Sequence, residues 1–325
     1  MPTIHDVAAR AGVSISTVSR ALNGDPRVGP DNLYRIQEAA RELRYAPNPV
    51  ARNLRKMRTG TWALIVGDVA DPFFTQVTRG LEDVAQEQGI SVILCNSDEE
   101  PEKEQRYIRV ARNLRVDAVA LTPTSMDINV EDLTDRGIPL VAVDRPLAAS
   151  VQADAALVDS RKAARDATVA MLASGRRQLA CISNPVDTFN GTQRVRGFRE
   201  GNQAAGLEPI EGFIAYSDRR YERGERAVAT ILKNGRPDGL LIANGPLTLG
   251  IIDALADHGI RPGDDFSVTT FDDNPWIEKT TPNVSQISQP AYELGVAAGR
   301  MLLDRIENKR TMPQTVTLAA RIGNG

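Results

Sequence analysis

The sequence predicts an α/β protein in which a small all-α helix-turn-helix domain and a hinge helix precede two lobes of parallel sheets. From Thr61 onward, apolar strand-like runs such as TWALIV and SVILC alternate with amphipathic helical segments. Such alternation is typical of parallel sheets wound by right-handed crossovers. The cycle starts again after about residue 155, so two α/β lobes are expected. The first 58 residues show only short helical periodicities.

Breaks in these patterns predict the domain boundaries. The helix-turn-helix domain covers residues 1–46, because two prolines interrupt the helical periodicity directly after it. A short helix with its linker, assigned as the hinge helix, covers 47–60. The two-lobed domain covers 61–325, with lobe 1 at about 61–159 plus 290–315 and lobe 2 at about 160–289 plus 316–325. Ligands of open α/β sheets bind beyond the carboxyl ends of the strands, so we expect a binding site in the cleft between the lobes.

Within the first domain, three short helices are predicted. A capping-box pattern that begins at Thr3 predicts a helix over about 4–10. Gly12 permits a tight turn before a second helix, which ends near residue 22. A third helix is expected at about 31–44, where apolar residues recur at steps of three and four.

Composition and charge narrow the class of protein. The 325-residue chain is 42% hydrophobic and 25% charged, which is ordinary for a globular protein with more than one core. It contains no run of about 18 apolar residues, and its N-terminus lacks a secretory-signal pattern, so a soluble, cytoplasmic protein is expected. Cys95 and Cys181 lie in apolar stretches without a Cys-x-x-Cys partner, which predicts reduced core thiols.

The net charge of −3 is unevenly distributed. Residues 1–58 contain ten basic and five acidic side chains and carry +5, so the remainder carries −8. A basic domain on an acidic body indicates contact with nucleic acid, because phosphate neutralisation needs clustered Lys and Arg. A solvated surface would give the same pattern.

Catalytic motifs are sparse. The chain has no Gly-x-Gly-x-x-Gly or Walker A sequence. Its two histidines, His5 in the basic N-terminal domain and His258 at the end of a predicted surface helix, are poor candidates for a Ser-His-Asp or Cys-His catalytic arrangement. Asp272 and Asp273 are one candidate acid–base pair. Neighbouring residues at a strand end point in opposite directions, which favours one ligand-binding and one capping aspartate instead. We therefore expect neither an enzyme nor a bound metal or cofactor.

The run TIHDVAARAGVSISTVSRALNGDPRV, followed by LRYAPNPVARNLR, closely resembles the N-terminal domain of the lactose-repressor/galactose-repressor (LacI/GalR) family of bacterial transcription regulators. The rest of the chain resembles that family's effector domain, which is related in fold to periplasmic sugar-binding proteins. This resemblance implies a homodimer that binds double-stranded, palindromic operator DNA and acts as a repressor. It also implies an effector in the cleft, which would be a sugar, a sugar acid or a sugar phosphate. Both kinds of effector fit the resemblance: an inducer, which loosens DNA binding, and a corepressor, which tightens it.

Matching the motifs residue by residue implies a recognition helix at Ser14–Leu22. Ile15, Ser16 and Arg20 would face base edges in the major groove, and Arg20 would bind guanine bidentately or contact only phosphate. In the hinge helix Leu54 would wedge into the minor groove. The remaining contacts, mostly to the backbone, would come from Thr3, Ser14, Ser19, Asn23, Arg27, Asn48 and Arg52. Gly29 and Asn32-Leu33 depart from the family pattern and put contacts at the third helix in doubt.

The same matching implies a set of effector-binding residues that suit vicinal hydroxyl groups, with Phe73 over an apolar sugar face. If Arg219 points into the cleft beside Arg194, the site carries two cations and an anionic sugar is favoured. If Arg219 lies on the surface, neutral and anionic sugars both remain candidates. Gly245 and Thr270 depart from the family pattern. The set comprises Asp71, Phe73, Phe74, Thr122, Asp144 and Arg145 on lobe 1, Asn190, Arg194, Arg219, Asn244 and Asp272 on lobe 2, and Gln289 in a crossing segment.

Overall fold

A computed structural model describes residues 2–22, 25–45, 58–185, 188–217, 224–263, 266–271, 275–309 and 312–323. The chain divides into two compact units, Met1–Thr59 and Gly60–Gly325. None of the helices in these described ranges is both long and apolar enough to span a membrane.

The first unit is a three-helix domain. Its helices are α1 (Ile4–Ala11), α2 (Ile15–Leu22) and α3 (Pro30–Glu42). The predicted capping box forms, since the Thr3 backbone N–H donates to Asp6 Oδ2 at 2.7 Å and the Asp6 N–H to Thr3 Oγ1 at 3.4 Å. Gly12 adopts a φ of 65°, which turns the chain into α2. The helices close over a core of Val7, Ala8, Ala11, Val18, Ala21, Ile36 and Ala39.

In the second unit, lobe 1 is a six-stranded parallel sheet in the order β11-β5-β4-β3-β1-β2. Its strands are β1 (Thr61–Val66), β2 (Ser91–Asn96), β3 (Ala118–Leu121), β4 (Leu140–Val143), β5 (Asp154–Val158) and β11 (Thr315–Leu318). Its helices are α4 (Pro72–Glu87), α5 (Pro101–Leu114), α6 (Glu131–Thr134) and α12 (Ala291–Ile306). Helices α4 and α12 approach so closely that a Cβ on Gly80 would lie 2.1 Å from the Tyr292 carbonyl oxygen, and this packing covers one face of the sheet.

Lobe 2 is a second six-stranded sheet in the order β12-β10-β9-β8-β6-β7, parallel except for the β10–β12 pair. Its strands are β6 (Leu179–Ser183), β7 (Ile214–Tyr216), β8 (Gly239–Ala243), β9 (Ser267–Phe271), β10 (Val284–Ser288) and β12 (Arg321–Gly323). Its helices are α7 (Ser160–Ala173), α8 (Phe189–Ala204), α9 (Gly224–Lys233), α10 (Thr248–Asp257) and α11 (Pro275–Thr280). The predicted fold class is confirmed: in chain order, a helix-turn-helix domain is followed by two α/β lobes.

The end of the chain differs from the predicted lobe boundary. The sequence assigned residues 316–325 to lobe 2, but β11 pairs in parallel with β5 of lobe 1 as far as Leu318. Only β12 joins lobe 2, where it pairs with β10. The alternating run TVTL fits either sheet edge equally well, so its periodicity could not decide which lobe it joins.

Candidate functional site

Helix α2 turns one face to the core and the opposite face to solvent. Val18 and Ala21 are buried, whereas Ile15, Ser16 and Arg20 are exposed. Ser16 and Arg20 are four residues apart and therefore lie on one side of the helix. The exposed face thus carries the three side chains that the sequence assigned to base contacts, and their role in DNA binding stays a prediction.

Of the other predicted DNA contacts, some make local hydrogen bonds in the first unit and the rest lie outside the described residues. The Thr3 hydroxyl takes part in the cap of α1, and the Ser14 hydroxyl accepts the Thr17 N–H at 3.2 Å. Ser19 is half-buried. The Arg27 guanidinium binds Asp25 at 2.7 Å, and this hydrogen-bonded partner lowers the pKa of Asp25 to about 2. Asn23, Asn48, Arg52 and Leu54 lie outside the described residues.

Between the lobes of the second unit lies a small cavity of about 20 Å³. A buried space of this size holds roughly one water molecule. Both lobes line it, and seven of its ten lining residues in the described part of the chain are polar. The lining consists of Asp71, Phe73, Phe74, Asp144, Asn184, Asn190, Arg194, Asn244, Pro246 and Gln289.

One hydrogen bond joins the two lobes directly across this cavity. Asn190 Nδ2, at the start of α8, donates to Asp144 Oδ2, after β4, at 2.8 Å. Both side chains are buried, with 6% and 3% of their surfaces exposed. Asp144 also adopts a φ of 69°, a left-handed conformation that is unfavourable for a non-glycine residue. The lobes are therefore closed on each other through a buried contact held by a strained residue.

On lobe 2, two side chains converge on the end of β8. The Arg194 guanidinium lies 4.0 Å from the centre of the Phe271 ring and donates to the Ala243 carbonyl oxygen at 3.0 Å. Asn244 Nδ2 donates to the Ser217 carbonyl oxygen at 3.3 Å. These contacts fix a cation and an amide at the wall of the cavity.

On lobe 1, the start of α4 forms the opposite wall. Asp71 caps this helix by accepting the Phe73 N–H at 3.0 Å. The rings of Phe73 and Phe74 pack edge to face with their centres 5.2 Å apart. The wall therefore combines a carboxylate with an aromatic surface, a pairing that suits the polar edge and apolar face of a sugar ring.

Two of the predicted effector residues lie away from the cavity lining. Thr122, at the end of β3, is fully buried but does not line the cavity. Arg145 points its guanidinium to Glu99, at 2.6 and 2.7 Å, and to the Pro123 carbonyl oxygen at 3.2 Å. Arg219 and Asp272 lie outside the described residues.

Asn184 and Pro246 line the cavity although the sequence did not single them out. Asn184 follows β6, is 8% exposed, and its Oδ1 has no hydrogen-bond partner among the described residues. Its position directly after the run LACIS was the available signal, because polar residues after parallel strands face the cleft. Pro246 carries no comparable signal.

A larger groove of about 850 Å³ lies elsewhere on lobe 1. It is an open surface near the starts of β4 and β5, lined in part by Met126, Gln152 and Arg305. Only the smaller cavity receives side chains from both lobes at the carboxyl ends of their strands, so we regard it as the candidate ligand site.

Metal-binding side chains do not cluster in the described part of the chain: no group of three or more His, Cys, Asp or Glu residues is placed to hold an ion there. Both cysteines are buried and unpaired, and burial raises the pKa of each thiol, to about 12 for Cys181. They are core residues, as their apolar sequence context predicts.

Comparisons with known proteins agree with this arrangement. Residues 3–48 match the model for bacterial regulatory proteins of the lacI family, and residues 168–324 match that for a periplasmic binding protein-like domain. The HTH-type transcriptional repressor PurR of Edwardsiella ictaluri is 33% identical over 99% of this chain and 95% of its own length. Catabolite control protein A of Priestia megaterium is 30% identical over 97% of this chain and 95% of its own.

A solved structure of the transcriptional regulator CelR in complex with cellobiose has the same fold, with a TM-score of 0.76 and 29% identity over the whole of both chains. These relatives are transcriptional regulators and not enzymes. The chain belongs to the lacI family of bacterial regulatory proteins and is, like them, a DNA-binding transcriptional regulator.

Proposed function

We propose that this regulator is a homodimeric repressor that binds a palindromic operator and is controlled by a small polyhydroxylated effector in the cleft between the lobes. The observation that carries the proposal is the polar cavity lined by both lobes and bridged by Asp144 and Asn190. A ligand that replaces this bridge interacts with the two lobes at once. It therefore changes the balance between open and closed lobes, which is the requirement for allosteric control.

The chemistry of the cavity supports a sugar or sugar derivative. Asp144 and Asn244 offer an acceptor and an amide, and Arg194 offers a guanidinium, all at least nine-tenths buried. An apolar ligand that replaced the Asn190–Asp144 hydrogen bond would leave these two buried polar side chains without it, at a cost of several kcal/mol. Hydroxyl groups both donate and accept, so a polyol satisfies both kinds of group.

Charge favours a neutral polyol over an anion. Among the described residues of the lining, Asp71 and Asp144 carry negative charge and Arg194 carries positive charge. A sugar acid or sugar phosphate would need a further cation, and Arg219 is the candidate that the family resemblance supplies. Arg219→Ala separates the alternatives, since only an anionic effector should lose about tenfold or more in affinity.

Exposed apolar side chains of lobe 1 support dimerisation. Ile93 and Leu94 on the edge strand β2 are 36% and 46% exposed, and Val110 and Leu114 on α5 are 39% and 52% exposed. An uncovered edge strand with apolar side chains is a liability unless another surface covers it. We propose that a second copy of the chain covers these side chains, because two symmetric DNA-binding domains read a palindrome with far more specificity than one.

The dimer is tested by sedimentation of the full chain and of Leu94→Asp, which places a charge among these apolar side chains. We expect a dimer that the substitution dissociates, while Ile210→Asp, at an exposed apolar residue of lobe 2, leaves the dimer intact. A wild-type chain that sediments as a monomer would refute this part of the proposal.

The effector is tested by a thermal-shift screen of neutral sugars, sugar acids, sugar phosphates and purines on the full chain. Each compound that stabilises the protein is then added to binding assays with an operator selected from random duplexes. We expect a palindromic operator and at least one polyhydroxylated compound that changes operator affinity. Stabilisation by purines alone would contradict the sugar assignment.

A further inference from the structure

Behind Asp144, outside the cavity lining, lies a group of three charged side chains, two of them buried. We call Glu99, Glu104 and Arg145 the Arg145 cluster. Glu99 lies in the turn between β2 and α5, Glu104 in the first turn of α5, and Arg145 directly after β4. Glu104 is fully buried and Arg145 is 5% exposed.

Arg145 connects this cluster to the cleft. Its guanidinium binds both carboxylate oxygens of Glu99, at 2.6 and 2.7 Å, and its Nε lies 3.5 Å from Asp144 Oδ2. That same Oδ2 accepts the hydrogen bond from Asn190 of lobe 2. One continuous set of contacts therefore runs from the ion pair to the bond that closes the lobes.

The backbone is strained where this set of contacts is anchored. Asp98, Glu99 and Asp144 have φ values of 53°, 58° and 69°, each costing about 1 kcal/mol or more in a non-glycine residue. A Cβ on Gly67 would lie 2.1 Å from Glu99 Oε1, so a side chain at this position would displace the carboxylate from its place against Arg145. Strain of this kind persists only where the surrounding contacts enforce it, and it concentrates at functional sites.

Glu104 makes the cluster sensitive to protons. Burial raises its pKa to about 7, and a hydrogen bond of 2.8 Å from the Thr124 N–H to Oε2 opposes this shift. Oε1 is buried and has no hydrogen-bond partner among the described residues. The charged groups that face Glu104 are Glu99, before α5, and Arg145, after β4, while Thr124, after β3, contributes uncharged hydrogen-bonding groups.

We propose that the Arg145 cluster is a proton-sensitive positioning device, which holds Asp144 against Asn190 and thereby sets how firmly the lobes close, without touching the effector. When Glu104 loses its proton, a second carboxylate beside Glu99 attracts the guanidinium and weakens its hold on Asp144. The closed arrangement therefore loosens as the pH rises through neutrality. The inference deepens the proposed function, since lobe closure is what the effector is proposed to control.

The test is hydrogen–deuterium exchange of the full-length, ligand-free protein, followed by mass spectrometry of peptides that cover residues 188–195 at the start of α8. Protection is corrected for the intrinsic pH dependence of exchange. In the wild type we expect protection to be several-fold lower at pH 8 than at pH 6. Glu104→Gln mimics the protonated side chain, so its protection should equal the wild-type value at pH 6 and stay constant.

The ion pair is tested by Glu99→Gln, which we expect to lower protection at residues 188–195 about tenfold, the effect of losing one charge-assisted hydrogen bond. Gly67→Ala should reproduce the loss, because the added methyl displaces Glu99 without removing a charge. The matched control is Asp154→Asn, which breaks the bidentate pair of Asp154 with Arg305, at 2.8 Å, near the start of β5. It should leave residues 188–195 unchanged.

Equal pH dependence in the wild type and Glu104→Gln, or no pH dependence in either, would overturn the proton-sensitive role. Unchanged protection at residues 188–195 in both Glu99→Gln and Gly67→Ala would overturn the positioning role. The measurement uses no ligand, so a wrong effector assignment leaves its outcome unaffected.

Discussion

On the outer face of α2, Ile15, Ser16 and Arg20 are exposed, whereas Asp144 and Asn190 in the cleft are buried and bonded to each other. The α2 face can meet a duplex without breaking any of its internal packing. A ligand in the cleft must instead replace contacts that already join the lobes. Substitutions on α2 should therefore change DNA recognition alone, while substitutions in the cleft should change ligand binding and lobe closure together.

The largest change is expected for a substitution in the cleft. Arg194→Ala removes a buried cation that donates to Ala243 and stacks on Phe271, so effector affinity should fall at least about 100-fold. Calorimetry with the strongest ligand from the screen measures this loss. The matched control is Arg196→Ala on the same helix, whose exposed guanidinium pairs with Glu200 at 3.2 Å. An equal loss in both variants would place the ligand elsewhere.

Behind the cleft, Glu104→Gln should change how stability depends on pH. The folded-state pKa of Glu104 is raised from 4.5 to about 7, so the wild type loses stability as the pH rises between these values and not above them. The variant should exceed the wild type by about 3 kcal/mol at pH 8 and match it near pH 4, as measured by urea unfolding. Glu102→Gln, on the exposed side of the same helix, should follow the wild-type curve.

On α2, Arg20→Ala should reduce discrimination at one base pair by about 1–3 kcal/mol, because a bidentate contact to guanine is lost. Competition between operator variants measures this effect. Arg52→Ala provides the contrast, since a phosphate contact should weaken binding to all sequences and lower the slope of affinity against salt by about 1. If Arg20→Ala behaved in the same uniform way, Arg20 would contact only phosphate.

The smallest effect is expected at Ile15, which is 38% exposed. Ile15→Ala should reduce the preference for a thymine by about 1 kcal/mol or less and change the free energy of unfolding by less than about 0.5 kcal/mol. A large loss of stability would mean that Ile15 packs against other parts of the protein. The exposed face of α2 would then not differ from the cleft, whose side chains are already bonded.

Patterns with a local cause were predictable from the sequence. The first helix was expected at about 4–10 and spans Ile4–Ala11, because the cap at Thr3 and the glycine at its end are local signals. Asp71, Asp144 and Asn244 line the cavity, and they were expected there from the family resemblance. In each case the signal is a short run of neighbouring residues, either a helix cap or a motif that carries the resemblance.

Contacts between distant segments were not predictable in the same way. Arg145 was expected to bind the effector, but it pairs with Glu99, 46 positions earlier in the chain. The burial of Glu104 likewise depends on how α5 packs against the sheet. Neither contact leaves a periodic or spaced pattern in the sequence, because the partners meet only after the crossovers of lobe 1 have formed.

We propose that a ligand in the cleft controls operator binding. Fluorescence anisotropy of a labelled, selected operator with the full-length protein, with and without each compound that stabilises the protein, measures this control. We predict that at least one polyhydroxylated compound changes operator affinity tenfold or more, and that Arg194→Ala abolishes this change while Arg196→Ala retains it. Operator affinity that stays constant in the presence of every bound compound would contradict the account.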